Sequence, residues 1–142
     1  MVVALVAGSC SLGDTSDDEV MELYVDISDA QLALDEEMTI TVTARNVGFD
    51  PIPLSGPSGC LLYIDILDNQ GNIVWTSNTS ANCGTQTTSE TLVVGVDKVQ
   101  TFNWHGENLA GARLTGGFYH VRAVARLTGS LYFGPPLSVA LE

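Results

Sequence analysis

The stretch Cys60-Leu-Leu-Tyr-Ile-Asp-Ile-Leu-Asp-Asn-Gln-Gly-Asn-Ile-Val-Trp75 constrains the fold more than any other part of the chain. Leu62, Ile64 and Ile66 recur at every second residue, the period of a strand that buries one face. Asp68-Asn-Gln-Gly71 then supplies turn chemistry, and Ile73-Val-Trp75 runs back as a β-prone return strand. A two-stranded hairpin is barely stable alone in water. The rest of the chain must therefore provide strands laid beside or across it.

It has the grammar to do so. Val20–Ile27 sets Leu23, Val25 and Ile27 against Glu22, Tyr24 and Asp26, and Met38–Arg45 sets Met38, Ile40, Val42 and Ala44 against three threonines and Arg45. Thr91–Val96 and Val99–Trp104 are predicted strands, with Gly95-Val-Asp-Lys98 around their turn. In Gly117–Arg126, Tyr119, Val121, Ala123 and Ala125 alternate with Phe118, His120, Arg122, Val124 and Arg126, and Leu131–Phe133 and Leu137–Leu141 close the chain. Ser28–Glu37, the threonine-rich Thr76–Glu90 and Glu107–Gly116 read as loops. The Asn46–Gly59 segment holds three of the five prolines and reads as a crossover or an edge, because proline cannot donate to a central ladder.

About eight short strands and no convincing helix predict an all-β fold, an antiparallel two-sheet sandwich of the immunoglobulin-like kind, spanning residues 20–142. An up-and-down barrel and a jelly roll are the alternatives, and the Pro-rich crossover favours the sandwich.

Charge limits the partners. The chain carries 17 carboxylates against five Lys and Arg, a net charge of −12. Phosphate binding needs clustered cations, so nucleic acid is excluded as a partner, and attraction to an anionic membrane surface is disfavoured. From Asp14 to Glu37 there are ten carboxylates and no cation, and residues 11–19 read as a solvated acidic tether.

Residues 1–10, Met-Val-Val-Ala-Leu-Val-Ala-Gly-Ser-Cys, run from apolar through small to cysteine. They resemble the end of a bacterial lipoprotein signal, with Ala7-Gly8-Ser9 before Cys10. That resemblance implies lipidation of Cys10, export, and a periplasmic or extracellular location at a membrane. Nine residues cannot span a hydrocarbon core that needs about 20. The segment is thus a signal remnant, a one-sided anchor, or a peptide docked on a partner. Cys60 and Cys83 remain as an even pair flanking the hairpin, either bridged or two separate buried thiols. In an oxidising compartment a bridge closing this loop is worth roughly 3 kcal/mol.

Three places together resemble the family of the Bacillus intracellular proteinase inhibitor. They are Asn46 with Pro51 and Leu54, the Asp68–Trp75 turn, and Phe102-Asn-Trp-His-Gly106 followed by Gly117-Phe-Tyr-His-Val121. The resemblance runs from about Val20 to Arg126 and implies an immunoglobulin-like sandwich and, as an activity, inhibition of a protease. The Pro-Gly-Glu turn of that pattern is Val94-Gly-Val-Asp97 here, and the cysteine pair is additional.

Little in the chain points to catalysis. His105 and His120 are isolated strand histidines, there is no G-x-S-x-G elbow, and Asp65, Asp68, Asn69 and Asn72 lack calcium-loop spacing. Gly116-Gly117 has no strand–Gly–helix context, so no cofactor is expected. The expected function is a non-catalytic interaction module, an accessory subunit of a membrane-bound complex with a protein partner. Protease inhibition is the alternative. A carbohydrate-binding module is a second alternative, and it requires Trp75 or Trp104 at the surface. The long loops nominate Phe49, Ile52 and Leu54, with Asn78 and Thr79, as partner contacts.

Overall fold

A computed structural model of the chain describes residues 21–33 and 35–142. The signal-like segment 1–10 with its lipidation candidate Cys10, and the tether 11–19, lie outside the described residues.

The expected sandwich is present, with two sheets facing each other across one core. The smaller sheet holds β1 (Met21–Ile27), β3 (Met38–Asn46) and β8 (Lys98–Trp104), with β3 in the middle. Both ladders are antiparallel, from Met21↔Asn46 to Ile27↔Ile40 and from Met38↔Trp104 to Ala44↔Lys98. The larger sheet is built on β9 (Gly117–Leu127), long enough to pair with different strands at its two ends. One edge of β9 takes β5 (Leu62–Leu67), which pairs in turn with β6 (Ile73–Thr76). Along β9 also lie β11 (Leu137–Leu141) and β10 (Ser130–Phe133), and β11 carries the two-residue β2 (Gln31–Leu32) in parallel. At the far end β4 (Ile52–Gly56) meets β9 at Leu54↔Leu127 and pairs along its length with β7 (Thr88–Leu92).

Alternation explains the core. Ile40, Val42 and Ala44 of β3 face Ile64 and Ile66 of β5 and Val121, Ala123 and Ala125 of β9, and all are fully buried. Trp104 closes the core, fully buried, with its ring centroid 6.4 Å from that of Trp75 and its Nε1–H donating to the Glu107 carbonyl at 2.9 Å. The Tyr119 hydroxyl donates to the Thr115 carbonyl four residues upstream at 2.7 Å, a corner common in immunoglobulin-like sandwiches.

The structure corrects the sequence reading at four places. The strand expected over Thr91–Val96 is Thr88–Leu92, because register with β4 (Ile52↔Leu92, Gly56↔Thr88) selects the polar residues before Thr91 and expels Val93, Val94 and Val96. The polar loop also holds a single helical turn, α1 (Ser80–Cys83), capped by Thr79. The Pro-rich segment supplies β4, which lies between β7 and β9 and not at an edge; its one bridge to β9 asks few donors of a strand containing Pro53. Finally, β2 forms within the expected Ser28–Glu37 loop by adding to β11.

Candidate functional site

The Cys60–Cys83 pair is bridged, with Cα atoms 5.0 Å apart, and the Gly59 N–H donates to the Cys83 carbonyl at 2.9 Å. Beside the bridge, Ser77 is buried and its Oγ accepts from the Ile64 N–H at 2.9 Å, while its own N–H donates to the Ile64 carbonyl at 3.0 Å. Thr76 Oγ1 donates to that same carbonyl at 3.1 Å. The loop after β6 is thus pinned along β5. Thr79 Oγ1 accepts from the Asn82 N–H at 3.3 Å as the cap of α1.

The turn of the opening hairpin closes as its residues require. The Asp68 carboxylate accepts the N–H groups of Asn72 and Gln70, each at 2.9 Å, and Gly71 takes a φ of 85°. These donors, Asn72 first, hold the Asp68 carboxyl below its usual range.

On the outer face of the large sheet, β5 is not solvated as alternation alone predicts. All six of its residues are buried. Asp65, 4% exposed, lies opposite Arg122 in register, and Arg122 Nη2 donates to Asp65 Oδ2 at 2.8 Å. The same guanidinium lies over the Phe133 ring, 4.3 Å from its centroid. Two positions further along β9 on this face, beyond Val124, Arg126 lies 5.5 Å over Tyr63. Gly56 leaves room for it, since a Cβ there would stand 2.5 Å from Arg126 Cδ. Burial first, then the Asp65 charge, push the Tyr63 phenol above its ordinary value, against the pull of the two arginines.

Beside these pairs runs a groove of about 280 Å³ lined by Tyr63, Ile73, Asn78, Arg122, Leu131 and Phe133. Of the five cations in the chain, Arg45 and Lys98 are ion-paired with Asp97 and Glu90, and Arg113 bonds the His105 carbonyl at 2.9 Å. Arg126 has no carboxylate at ion-pair distance among the described residues. The Nε atoms of Arg122 and Arg126 are buried with no hydrogen-bond partner among the described residues.

A second surface lies at the end of the sandwich where β1 begins. Phe49 is 98% exposed there, alongside exposed Val47, Val93, Val94 and Val96. Asn46, itself buried, holds the two loops together. Its Nδ2 donates to the carbonyls of Asp50 at 2.8 Å and Leu92 at 3.0 Å, and its Oδ1 accepts from the Gly48 N–H at 3.0 Å. A hollow of about 360 Å³ at this end is lined by Met21, Phe49, Pro51, Ile52, Pro53 and Leu127.

The five nominated contact residues therefore separate. Phe49 and half-buried Ile52 belong to the apolar end, and Asn78 lines the groove with Thr79 next to it. Leu54 is fully buried, a core residue with no surface to give. Sequence reasoning missed Tyr63, Arg122, Arg126 and Phe133, although two arginines four residues apart, on one face of one strand in so acidic a chain, were a usable signal. Trp104 is buried and Trp75 half-buried against it, so neither forms the platform that a carbohydrate-binding module requires. His105 Nε2 lies 3.1 Å from a Glu37 oxygen, and His120 Nδ1 lies 3.3 Å from Ser138 Oγ, both near the surface. Among the described residues no cluster of three or more His, Cys, Asp or Glu is placed to hold a metal.

No protein-family model matches the sequence, and no curated protein matches it. Solved structures match it by shape. The sporulation control protein Spo0M of Bacillus subtilis has a TM-score of 0.56 at 12% identity, over 87% of this chain and 49% of that one. A CARDB domain from Pyrococcus furiosus, solved with di-metal ions, has a TM-score of 0.50 at 14% identity, over 86% of this chain and 87% of the domain. The DNA glycosylase AlkC of Pseudomonas fluorescens has a TM-score of 0.51 at 11% identity; the match covers 87% of this chain and 30% of the glycosylase. At such identities the likeness is one of fold alone. The chain is an immunoglobulin-like β-sandwich with a CARDB-like arrangement of its two sheets.

Proposed function

We propose that this chain is a non-catalytic interaction module on the outer side of a bacterial membrane. Its N-terminal segment tethers it there, and it docks a protein partner as an accessory subunit of a larger complex. The groove on the outer face of β5 and β9 carries the reading. Protein interfaces concentrate Tyr, Phe and Arg at their centres and deplete Lys, Glu and Asp. The groove has Tyr63, Phe133 and Arg122 flanked by Ile73 and Leu131, Arg126 lies beside it over the Tyr63 ring, and its one acid, Asp65, is already neutralised by Arg122. The partner that fits is a segment placing a carboxylate on Arg126 and an apolar side chain against Ile73, Leu131 and Phe133. The Cys60–Cys83 bridge is compatible with an extracellular or periplasmic compartment. Among the described residues no helix is long and apolar enough to cross a membrane.

The test is capture of the tagged full chain from solubilised membranes of its source. A stoichiometric partner is expected, with recovery falling about fivefold or more in Arg126→Ala and Phe133→Ala but not in Leu109→Ala, an exposed apolar control. A monomer that brings down nothing, or a partner retained undiminished by both groove variants, overturns the reading.

A further inference from the structure

We infer that the apolar end of the sandwich, centred on Phe49, rests on the lipid surface itself. The inference depends on the tethering reading above and adds a second point of membrane contact to it. Five exposed apolar side chains, Val47, Phe49, Val93, Val94 and Val96, come from two segments far apart in sequence. The Asn46 bridge to Val94 and the Asn46 bonds to Leu92 and Asp50 bring them to one end. A single exposed apolar residue needs no explanation, but apolar residues gathered into one patch mark protein or membrane contact.

The direction of the chain identifies the occupant. Met21, the first residue of β1, pairs with Asn46 and lines the same hollow as Phe49, so β1 begins at this apolar end. Cys10 lies eleven residues before Met21. With Cys10 held in a bilayer, the end of the domain stays within about 40 Å of the surface. At that range, insertion of a few side chains competes with no loss of free translation.

The charges nearby are mostly settled. Asp97 is bound by Arg45 at 2.9 Å and Glu90 by Lys98 at 2.6 Å. Asp50 has no ion pair among the described residues, and Asp14, Asp17, Asp18 and Glu19 precede the end in sequence. The surface that fits is therefore zwitterionic, with Phe49 and the valines at the level where headgroups meet acyl chains. Anionic lipid weakens the contact.

The test uses the full chain with phosphatidylcholine vesicles containing acyl-brominated lipid. The parent is compared with Phe49→Trp and with Phe49→Trp/Val94→Asp. Sedimentation with vesicles reads the tether, and bromine quenching reads the apolar end. The expected result is that all three sediment, Phe49→Trp loses about half of its added emission, and the parent, with Trp75 and Trp104 in or against the core, does not. Val94→Asp restores much of that emission. Sedimentation with Phe49→Trp unquenched, as when a protein covers this end, overturns the inference and leaves the tether standing. Equal quenching of parent and Phe49→Trp also overturns it. Failure to sediment removes the tethering reading and this inference with it.

Discussion

Asp65 and Arg122 sit directly opposite each other on neighbouring strands, 57 residues apart in sequence, joined by a 2.8 Å hydrogen-bonded ion pair on the outer face of the sheet. The carboxylate is almost fully buried and the guanidinium largely so. Desolvated pairs of this kind add little net stability but are costly to break from one side. Arg122→Leu leaves the Asp65 charge uncompensated and lowers stability by about 2–4 kcal/mol. The double variant Asp65→Leu/Arg122→Leu returns to within about 1 kcal/mol of the parent. Urea denaturation of the four proteins of the cycle checks both figures, and additive losses contradict the pairing.

The disulfide closes a loop of 23 residues' separation. Removing it in Cys60→Ser/Cys83→Ser releases that loop in the unfolded chain and lowers stability by about 3 kcal/mol. The local signature is amide exchange. The Gly59 N–H, donating to the Cys83 carbonyl, loses protection before the β9 amides do. An unchanged urea midpoint contradicts the prediction.

Asn46 satisfies two carbonyls and one N–H from inside a nearly sealed site. Asn46→Ala strands all three and costs about 2–3 kcal/mol. Asn46→Asp keeps the acceptor but loses both donors and buries a charge, so it is at least as damaging. Thermal unfolding measures the loss. Faster proteolysis at the 47–51 loop, with β9 still protected, shows that the damage is local.

Stability falls in acid through two identified carboxylates. Asp68 is held low by the Asn72, Gln70 and Gly71 N–H groups, and Asp97 by its hydrogen bond and charge pairing with Arg45. Both folded values lie below the unfolded ones. Their contribution is therefore complete above the ordinary carboxylate value of 3.8 and is lost as pH drops through the lower folded values. Asp68→Asn flattens that acid limb without changing its sign. Urea midpoints from about pH 6 to about pH 2 measure the slope.

The fold was legible because alternation and turn chemistry are local properties. Met38–Asn46, the Asp68–Gly71 turn and Gly117–Leu127 stand where the pattern puts them. Strand β7 was not legible, since Thr88-Ser-Glu-Thr-Leu92 alternates weakly and is a strand only because β4 pairs with it. The groove was hidden for a related reason. Tyr63 and Asp65 look solvent-facing in β5, and only the arrival of Arg122, Arg126 and Phe133 from another part of the chain covers them.

The opening hairpin states this division most plainly. By itself the sequence determined that Cys60–Trp75 turns at Asp68–Gly71 and buries Leu62, Ile64 and Ile66, because periodicity and turn residues act within a few residues of each other. Which neighbours flank that hairpin, what covers its outer face, and which end of the sandwich gathers Phe49 with Val93, Val94 and Val96 were decided by the tertiary structure alone. Those are pairings between distant segments, and their energies depend on desolvation and contact that no local window contains.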